Sequence, residues 1–205
     1  MSAYPATSEK ILLAAIDLMA DKGYDGTTTK EIALAAGVNE VTVFRHFGTK
    51  EKLLEAAFNR FHYGHEMTRL FNEGLKEDLH EDLLTLSRTY HKIMDRNKKL
   101  ISIALKGSST LPDSVHQEAT RNPKHLRSLL ADYLTQMSAQ GKAVASNPEL
   151  QAMSFMWMNY GAFITRLNAK EAVSDAELDA FIEESVSIFV KALSPESNRS
   201  QGIAP

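Results

Sequence analysis

Apolar residues recur every three or four positions along most of the chain, which is the spacing of one face of an α-helix. Ile11, Leu12, Ala15 and Met19 begin this pattern after a possible cap at Ser8, and Gly23 ends the first helix. Further helices are predicted over 29–36, 40–47, 50–72 (broken or not at Gly64), 79–95, 98–106, 113–121, from the start signal Asn122-Pro123 to Gly141, over 148–168 after the same signal at Asn147-Pro148, and over 175–193 after a Ser174/Glu177 capping box. Because no useful stretch alternates like a strand, the sequence predicts an all-α fold of about nine helices.

The segment 27–52 carries the clearest local signals. Thr28 and Glu31 have the spacing of a capping box, in which each side chain satisfies the other's backbone N–H. Gly37 can adopt the left-handed conformation that closes a helix, and Asn39 is a good N-cap for helix 40–47. Two short helices joined by a tight glycine turn indicate a helix-turn-helix, whose second helix fits the major groove of DNA.

This segment resembles the DNA-binding domain of tetracycline-repressor-like (TetR-family) transcriptional regulators. The resemblance covers about residues 8–60 and rests on Gly23-Tyr24, Thr27-Thr28, Glu31-Ile32-Ala33, Ala36-Gly37-Val38, Thr42-Val43-Phe44-Arg45-His46-Phe47, Lys50 and Leu53. It implies a DNA-binding domain over 1–49 and a ligand-binding and dimerisation domain over 50–193, with helix 50–72 as the link. The polar residues 194–205 are expected to be a disordered tail.

The DNA contacts are expected on the second helix of the motif and beside it. The expected contact residues are Thr28, Thr29, Lys30, Glu40, Val41, Thr42, Phe44, Arg45, His46 and Lys50. The Thr42 methyl suits a thymine methyl, and Arg45 can reach either a guanine edge or a phosphate. By resemblance, Lys50 contacts phosphate, Phe44 stands where the family usually has Tyr, and Val41 stands where it often has Gly.

The charge balance argues against strong non-specific DNA binding. The net charge is −3, and the first 60 residues carry seven cationic and eight anionic side chains. The chain has no cysteine, no basic-then-apolar leader pattern and no apolar run approaching 18 residues. These features favour a cytoplasmic protein without a membrane partner.

The last two helices are expected to form a homodimer interface. Helix 148–168 is apolar nearly all round, and a second copy packing on it and on helix 175–193 would cover the faces that its own core leaves open. The dimer would bind a palindromic operator. The other C-terminal helices are expected either to pack as an ordinary core or to enclose an effector. Its candidate lining is Met67, Leu70, Phe71, Tyr90, Met94, Ile103, Leu130, Tyr133, Met156 and Tyr160.

The family mode of action would be repression relieved by a small, largely apolar effector that shifts the population away from the DNA-binding state. Two rivals are a helical protein-docking adaptor and a DNA binder without an effector. An enzyme is less favoured, because His62, His65 and Glu66 lack further metal ligands and no nucleophile or phosphate-loop pattern appears. We therefore expect no catalytic activity, no metal and no cofactor.

Overall fold

The computed structural model describes residues 6–107, 109–169 and 173–195, and these residues form helices without a strand. The helices are α1 (Thr7–Lys22), α2 (Thr29–Ala36), α3 (Glu40–Phe47), α4 (Lys50–Arg60), α5 (Gly64–Arg69), a π-helical segment (Leu70–Gly74), α6 (Leu79–Arg96), α7 (Lys98–Lys106), α8 (Asp113–Ala139), α9 (Pro148–Asn168) and α10 (Asp175–Leu193). The all-α prediction is confirmed. The expectation of disorder in the tail concerns residues that, from 196 onward, lie outside those described.

The chain divides into two packing units. The first contains residues up to 62 together with 97–122, and the second contains 63–96 together with residues from 123 onward. The first unit is therefore larger than the 1–49 domain that the sequence predicts, because it also includes α4, α7 and the beginning of α8.

The core of the first unit is a single apolar cluster around α1. Its buried residues are Ile11, Leu12, Ala15, Ile16, Met19, Ile32, Ala33, Val43, Leu53, Leu54, Ala57, Leu100, Ile103, Leu111 and Val115. Burying each large apolar side chain of this kind stabilises the fold by about 1.5–3 kcal/mol. The α7 residues join this core because α7 packs along α1.

Polar contacts reinforce the packing of α7 on α1. Lys106 Nζ donates to the carbonyl oxygen of Ala20, at 2.6 Å, near the end of α1 where carbonyls lack helical partners. Lys99 and Asp17 form an exposed ion pair at 2.7 Å. Such exposed pairs add little free energy, so the apolar contacts carry most of this packing.

The segment 50–72 is broken before Gly64, which is one of the two outcomes that the sequence leaves open. Helix α4 ends at Arg60, α5 begins at Gly64, and the chain then takes the wider π-helical turn from Leu70 to Gly74. The break coincides with the boundary between the packing units, and Tyr63, the first residue of the second unit, is buried. Burial of this aromatic ring favours the break. A continuous helix is also disfavoured because a glycine such as Gly64 destabilises a helix interior.

Two predicted helices are joined in the structure. Helix α8 runs without interruption from Asp113 to Ala139, with Pro123 inside it, so Asn122-Pro123 does not start a helix. Pro123 has no N–H to donate to the carbonyl of Ala119, and its ring crowds that oxygen, at a typical cost of about 3 kcal/mol. Val115 and Leu126, which lie on either side of the proline, are both buried.

Capping signals were mostly read correctly. Ser174 and Glu177 form the predicted capping box of α10, and the Asn147 side chain caps α9 by accepting from the N–H of Leu150. Two expectations are wrong: α1 begins after Ala6 and not at Ser8, and the Asn39 side chain accepts no hydrogen bond from α3.

In the second unit, α6 packs against α9 and α10. Arg88 on α6 forms a two-pronged pair with Asp179 on α10, at 2.7 and 2.8 Å, and also reaches Glu183. This guanidinium lowers the pKa of the Asp179 carboxyl. The planar fork of an arginine fixes orientation as well as distance, so the contact sets how α10 lies along α6.

Candidate functional site

The start of α2 and the turn between α2 and α3 both have the geometry that the sequence predicts. The Thr28 hydroxyl accepts from the N–H of Glu31 at 3.2 Å, and the Glu31 carboxylate accepts from the N–H of Thr28 at 2.9 Å. Gly37 closes α2 at φ 68°, ψ 36°, and the N–H of Val38 returns to the carbonyl of Ala33 at 2.9 Å. This left-handed closure suits glycine and redirects the chain into α3.

An ion pair reinforces the start of α2. The ammonium of Lys22 donates to Glu31 at 2.7 Å, and together with the Thr28 hydrogen bonds it lowers the pKa of Glu31 to about 2. Glu31 therefore stays ionised at neutral pH, which favours its place in the first turn of a helix.

Helix α3 is anchored on one side and open on the other. Val43 is buried and Phe47 is partly buried against the core of the first unit. Val41, Phe44, Arg45 and His46 are exposed, while Glu40 and Thr42 are half-buried. The edge predicted to face DNA thus points out of its own packing unit.

Two of the exposed residues of α3 are large and apolar. Val41 is 76% exposed and Phe44 is 48% exposed. Neighbouring exposed apolar side chains on a short helix are unusual unless something covers them. Their place beside Arg45 makes them part of any surface that α3 presents to a partner.

A hydrogen bond joins α2 to the outward edge of α3. The Thr29 hydroxyl donates to the Glu40 carboxylate at 2.6 Å. Thr29 is half-buried and its hydroxyl is already engaged. In this structure its contact therefore sets the angle between the two helices.

Lys50 makes contacts inside the first unit that the sequence did not reveal. Its ammonium donates to the carbonyl oxygens of Tyr24 and Thr27, at 2.8 and 3.0 Å, and lies 4.1 Å from the centroid of the Tyr24 ring. It braces the α1–α2 loop against the start of α4. By contrast, Lys30 and Arg45 form no hydrogen bond or ion pair with other residues that the structure describes.

The second unit contains a small cavity that matches the predicted lining in part. Tyr90, Leu130 and Met156 line it as expected. Leu86, Leu126, Phe155 and Asn159 also line it and were not anticipated. Its volume is about 10 Å³, which is room for about one water molecule. The packing of α6 on α9 beside it is a long-range feature, which explains why the sequence indicated only three of its seven lining residues.

The other predicted lining residues lie elsewhere. Ile103 belongs to the core of the first unit, so its assignment to the effector pocket is corrected. The Tyr133 hydroxyl donates to the buried Asp82 carboxylate at 2.8 Å, and the Phe71 ring meets the Tyr133 ring edge-on. Met67, Leu70, Met94 and Tyr160 also belong to the second unit but do not line this cavity.

The outer faces of α9 and α10 carry exposed apolar side chains. On α9 the exposed positions 150, 154, 157, 161 and 165 follow one stripe, in which Leu150 is 53% and Trp157 is 65% exposed. On α10, Phe181 and Ile188 are 41% and 60% exposed. Helix 148–168 is therefore not covered on every side by its own unit, as its composition predicted.

Two kinds of site are absent from the part of the chain that the structure describes. No three His, Cys, Asp or Glu side chains are grouped closely enough to hold a metal ion. Among the same residues, no helix combines the length and apolar character needed to cross a bilayer.

Family models match both parts of the chain. Residues 11–57 match the model for bacterial regulatory proteins of the tetR family, and residues 81–194 match that for the C-terminal domain of AefR-like transcriptional repressors. The chain is also similar to the uncharacterized HTH-type transcriptional regulator YvkB of Bacillus subtilis, at 34% identity over 93% of this chain and 98% of that one.

Solved structures share the fold. FadR from Bacillus subtilis, in complex with stearoyl-CoA, gives a TM-score of 0.72 at 18% identity over 90% of this chain and 98% of that one. AibR, in complex with isovaleryl coenzyme A and operator DNA, gives 0.65 at 24% identity over 93% and 99%. With its matched helix-turn-helix and C-terminal models, the chain belongs to the TetR family of HTH-type proteins, which are transcriptional regulators and not enzymes.

Proposed function

We propose that this protein is a repressor that binds a palindromic operator as a homodimer and is released by a small, largely apolar effector. The observation that carries the proposal is the outward edge of α3, where Arg45 is exposed and unpaired among the described residues while Val43 anchors the helix. A helix that packs on its own core along one side and is exposed along the other can enter a major groove while that core stays folded.

We assign Arg45 and Thr42 to base edges and Lys30 to phosphate. A free guanidinium can bond two acceptors of guanine, whereas a lysine ammonium acts as a point charge on the backbone. Val41 and Phe44 give α3 an apolar surface suited to thymine methyl groups. The contacts of Thr29 and His46 with phosphate or flanking bases are proposed from the family resemblance, as is any phosphate contact of Lys50 beyond its brace.

The homodimer is supported by the exposed stripes of α9 and α10. Trp157 and Ile188 would be covered by a second copy, and two helices from each subunit make the four-helix interface that such stripes suit. A two-fold pair of α3 helices would engage half-sites about 34–36 Å apart. The division into a DNA-binding part and an effector-binding part follows the two packing units.

The effector is supported by the cavity in the second unit and by relatives of the same fold. FadR and AibR carry acyl-CoA molecules in their structures. The cavity here is lined mainly by apolar side chains, among them the flexible Met156. We propose that an effector with an apolar body expands this cavity and favours a state with lower affinity for the operator.

Selection of bound DNA with the purified protein, followed by titration of variants, tests the proposal. Arg45→Ala should lower affinity for the selected sequence at least tenfold, which corresponds to about 1.4 kcal/mol, and should relax the base preference of the protein. Lys30→Gln should weaken binding to all sequences alike and should reduce the slope of log affinity against log salt concentration by about one. Lys124→Gln, an exposed lysine in the second unit, should change neither.

The alternative of a protein-docking adaptor predicts a different effect of these variants on DNA binding. An adaptor would select no sequence, and Arg45→Ala would then resemble Lys30→Gln on every DNA. Unchanged binding of the selected operator by Arg45→Ala would show that the reading surface is assigned to the wrong residues.

A further inference from the structure

Helix α6 buries two polar side chains that lack a partner in good hydrogen-bond geometry. Ser87 is 1% exposed and His91 is 2% exposed, and among the described residues neither the Ser87 hydroxyl nor a ring nitrogen of His91 has a partner at hydrogen-bond distance and angle, although the Asn159 side chain is close enough to act on the ring. The two residues are four positions apart and so lie on one face of the helix. Buried polar atoms are nearly always paired in folded proteins, so this cluster requires an explanation.

The His91 ring is neutral at physiological pH. Burial is the main cause that lowers its pKa to about 4, and the charge of Arg166 adds to the effect, while the charge of Asp95 and the hydrogen-bonding contact with the Asn159 side chain act in the opposite direction. Arg166 is paired with Asp95, which partly neutralises the charge near the ring. A neutral imidazole offers one donor and one acceptor.

Two residues that line the cavity in the second unit contact His91, although neither Ser87 nor His91 lines the cavity itself. Asn159 on α9 lines the cavity and its side chain is also beside the His91 ring. Tyr90, a second wall residue, meets the His91 ring edge-on with 6.0 Å between ring centroids. The amide of Asn159 donates to the Phe155 carbonyl at 2.9 Å, which fixes the orientation of the side chain at the cavity wall.

We propose that Ser87, His91 and Asn159 form the polar end of the effector site, and that this end takes an uncharged hydroxyl or carbonyl group on a ligand with an apolar body. The proposal rests on the proposed function and names the chemistry of its effector. An uncharged group can satisfy the unpaired atoms of Ser87 and His91. A charged group would have to lose its hydration, and Arg166, the described cation that acts on the His91 ring, is already paired with Asp95.

The cavity must grow to admit such a ligand. At about 10 Å³ it holds about one water molecule, so the ligand binds a more open state that is rare in its absence. Met156 is the wall residue best able to change shape, because its side chain is unbranched and has several rotatable bonds. Ligand affinity therefore depends both on the polar contacts and on the ease of opening.

A series of eight-carbon probes tests the chemistry. The full-length protein would be titrated with n-octane, 1-octanol, 2-octanone, octanoate and octylammonium, with melting temperature and the NMR signals of the histidine rings as readouts. We expect 1-octanol and 2-octanone to raise the melting temperature with concentration and to shift the His91 signals, and we expect the hydrocarbon and both ions to do neither.

Two variants and a control isolate the cluster. Ser87→Ala removes one unpaired oxygen, so it should keep or raise the melting temperature of the free protein and lower 1-octanol affinity at least threefold. His91→Phe should bind 1-octanol no better than n-octane. Ser128→Ala, at an exposed serine of α8, should behave like the parent.

Several results would overturn the inference. They are a stronger response to octanoate or octylammonium than to 1-octanol, an equal response to n-octane, no response to any probe, a retained preference in Ser87→Ala, or a lower melting temperature for Ser87→Ala without ligand. Operator binding is measured separately and without probes. If the probe experiments contradict the polar end of the effector site while the protein still binds its operator, the DNA-binding proposal is therefore unaffected.

Discussion

At the residue scale, Lys50 shows that a side chain can fit a family pattern for DNA contact and still have a structural role within its own packing unit. The sequence placed it at the start of α4, where a cation suits a phosphate. The structure gives its ammonium two backbone carbonyls and the face of Tyr24. A substitution at this position would therefore change the fold of the first unit before it changed DNA affinity.

Replacement of Lys50 by methionine tests this brace. Methionine keeps most of the apolar stem but leaves the carbonyls of Tyr24 and Thr27 without their donor, so the free energy of unfolding should fall by about 1–3 kcal/mol. Urea denaturation measures the change. Lys52→Met, at the exposed neighbouring lysine, is the matched control and should stay near the parent; equal stability of both variants would refute the brace.

His91 should make stability depend on pH. Its folded-state pKa of about 4 is below its ordinary value of 6.5. Between these two pH values the unfolded chain therefore binds a proton that the native state does not bind. The stabilisation is complete above pH 6.5 and is lost as pH falls from 6.5 to 4, by about 3 kcal/mol in all.

Urea unfolding of the parent and of His91→Phe between pH 7.5 and 4.5 measures this contribution. The carboxylates titrate in both proteins, and Arg166 and Asp95, the charged groups that act on His91, are common to both. The parent should therefore lose about 2–3 kcal/mol more than the variant over this range. Parallel curves would show that His91 is not buried in its neutral form.

At the scale of elements, local chemistry explains most boundaries. The capping boxes of α2 and α10, the Asn147 cap and the left-handed Gly37 depend on residues within five positions of one another, and the sequence predicted all of them. The local signals left a break at Gly64 open and gave the wrong result at Pro123, because packing decides whether a weak point becomes a break. Gly64 follows a break, whereas Pro123 lies inside a continuous helix.

Pro123→Ala should stabilise α8. Alanine restores the N–H donor to the Ala119 carbonyl and relieves the ring contact, while it adds some freedom to the unfolded chain; the net gain should be about 1–3 kcal/mol. Denaturant unfolding followed by circular dichroism measures it. Pro148→Ala is the matched control, because Pro148 is in the first turn of α9 and its loss should cost about 0.4–1 kcal/mol. A destabilised Pro123→Ala would show that the proline relieves a strain in α8.

At the scale of the whole molecule, the exposed stripes of α9 and α10 are the features that a single copy leaves open. Trp157 is 65% exposed and Ile188 is 60% exposed, and exposed apolar surface marks an interaction site when it forms a large patch. The sequence could indicate an excess of apolar residues on helix 148–168. It could not indicate which face its own unit covers, because that depends on the packing of α6 against α9.

Charged substitutions on these stripes should produce monomers. Trp157→Glu or Ile188→Glu would place a carboxylate in the interface, where an unpaired charge is costly, and should shift the protein from dimer to monomer in size-exclusion chromatography with light scattering. Operator affinity should fall with it. Leu34→Glu is the control for oligomeric state, since Leu34 is 82% exposed in the first unit. A monomeric parent, or a Trp157→Glu variant that stays dimeric, would remove the proposed interface.

The sequence by itself determined the helices with clear caps, the helix-turn-helix and the outward edge of α3, because these depend on contacts between near neighbours and on the 3.6-residue period. Only the tertiary structure decided that Ile103 belongs with α1, that Lys50 braces the α1–α2 loop and that His91 is buried beside Asn159. Each of these depends on groups brought together from distant parts of the chain, and no local pattern records which distant residues will meet.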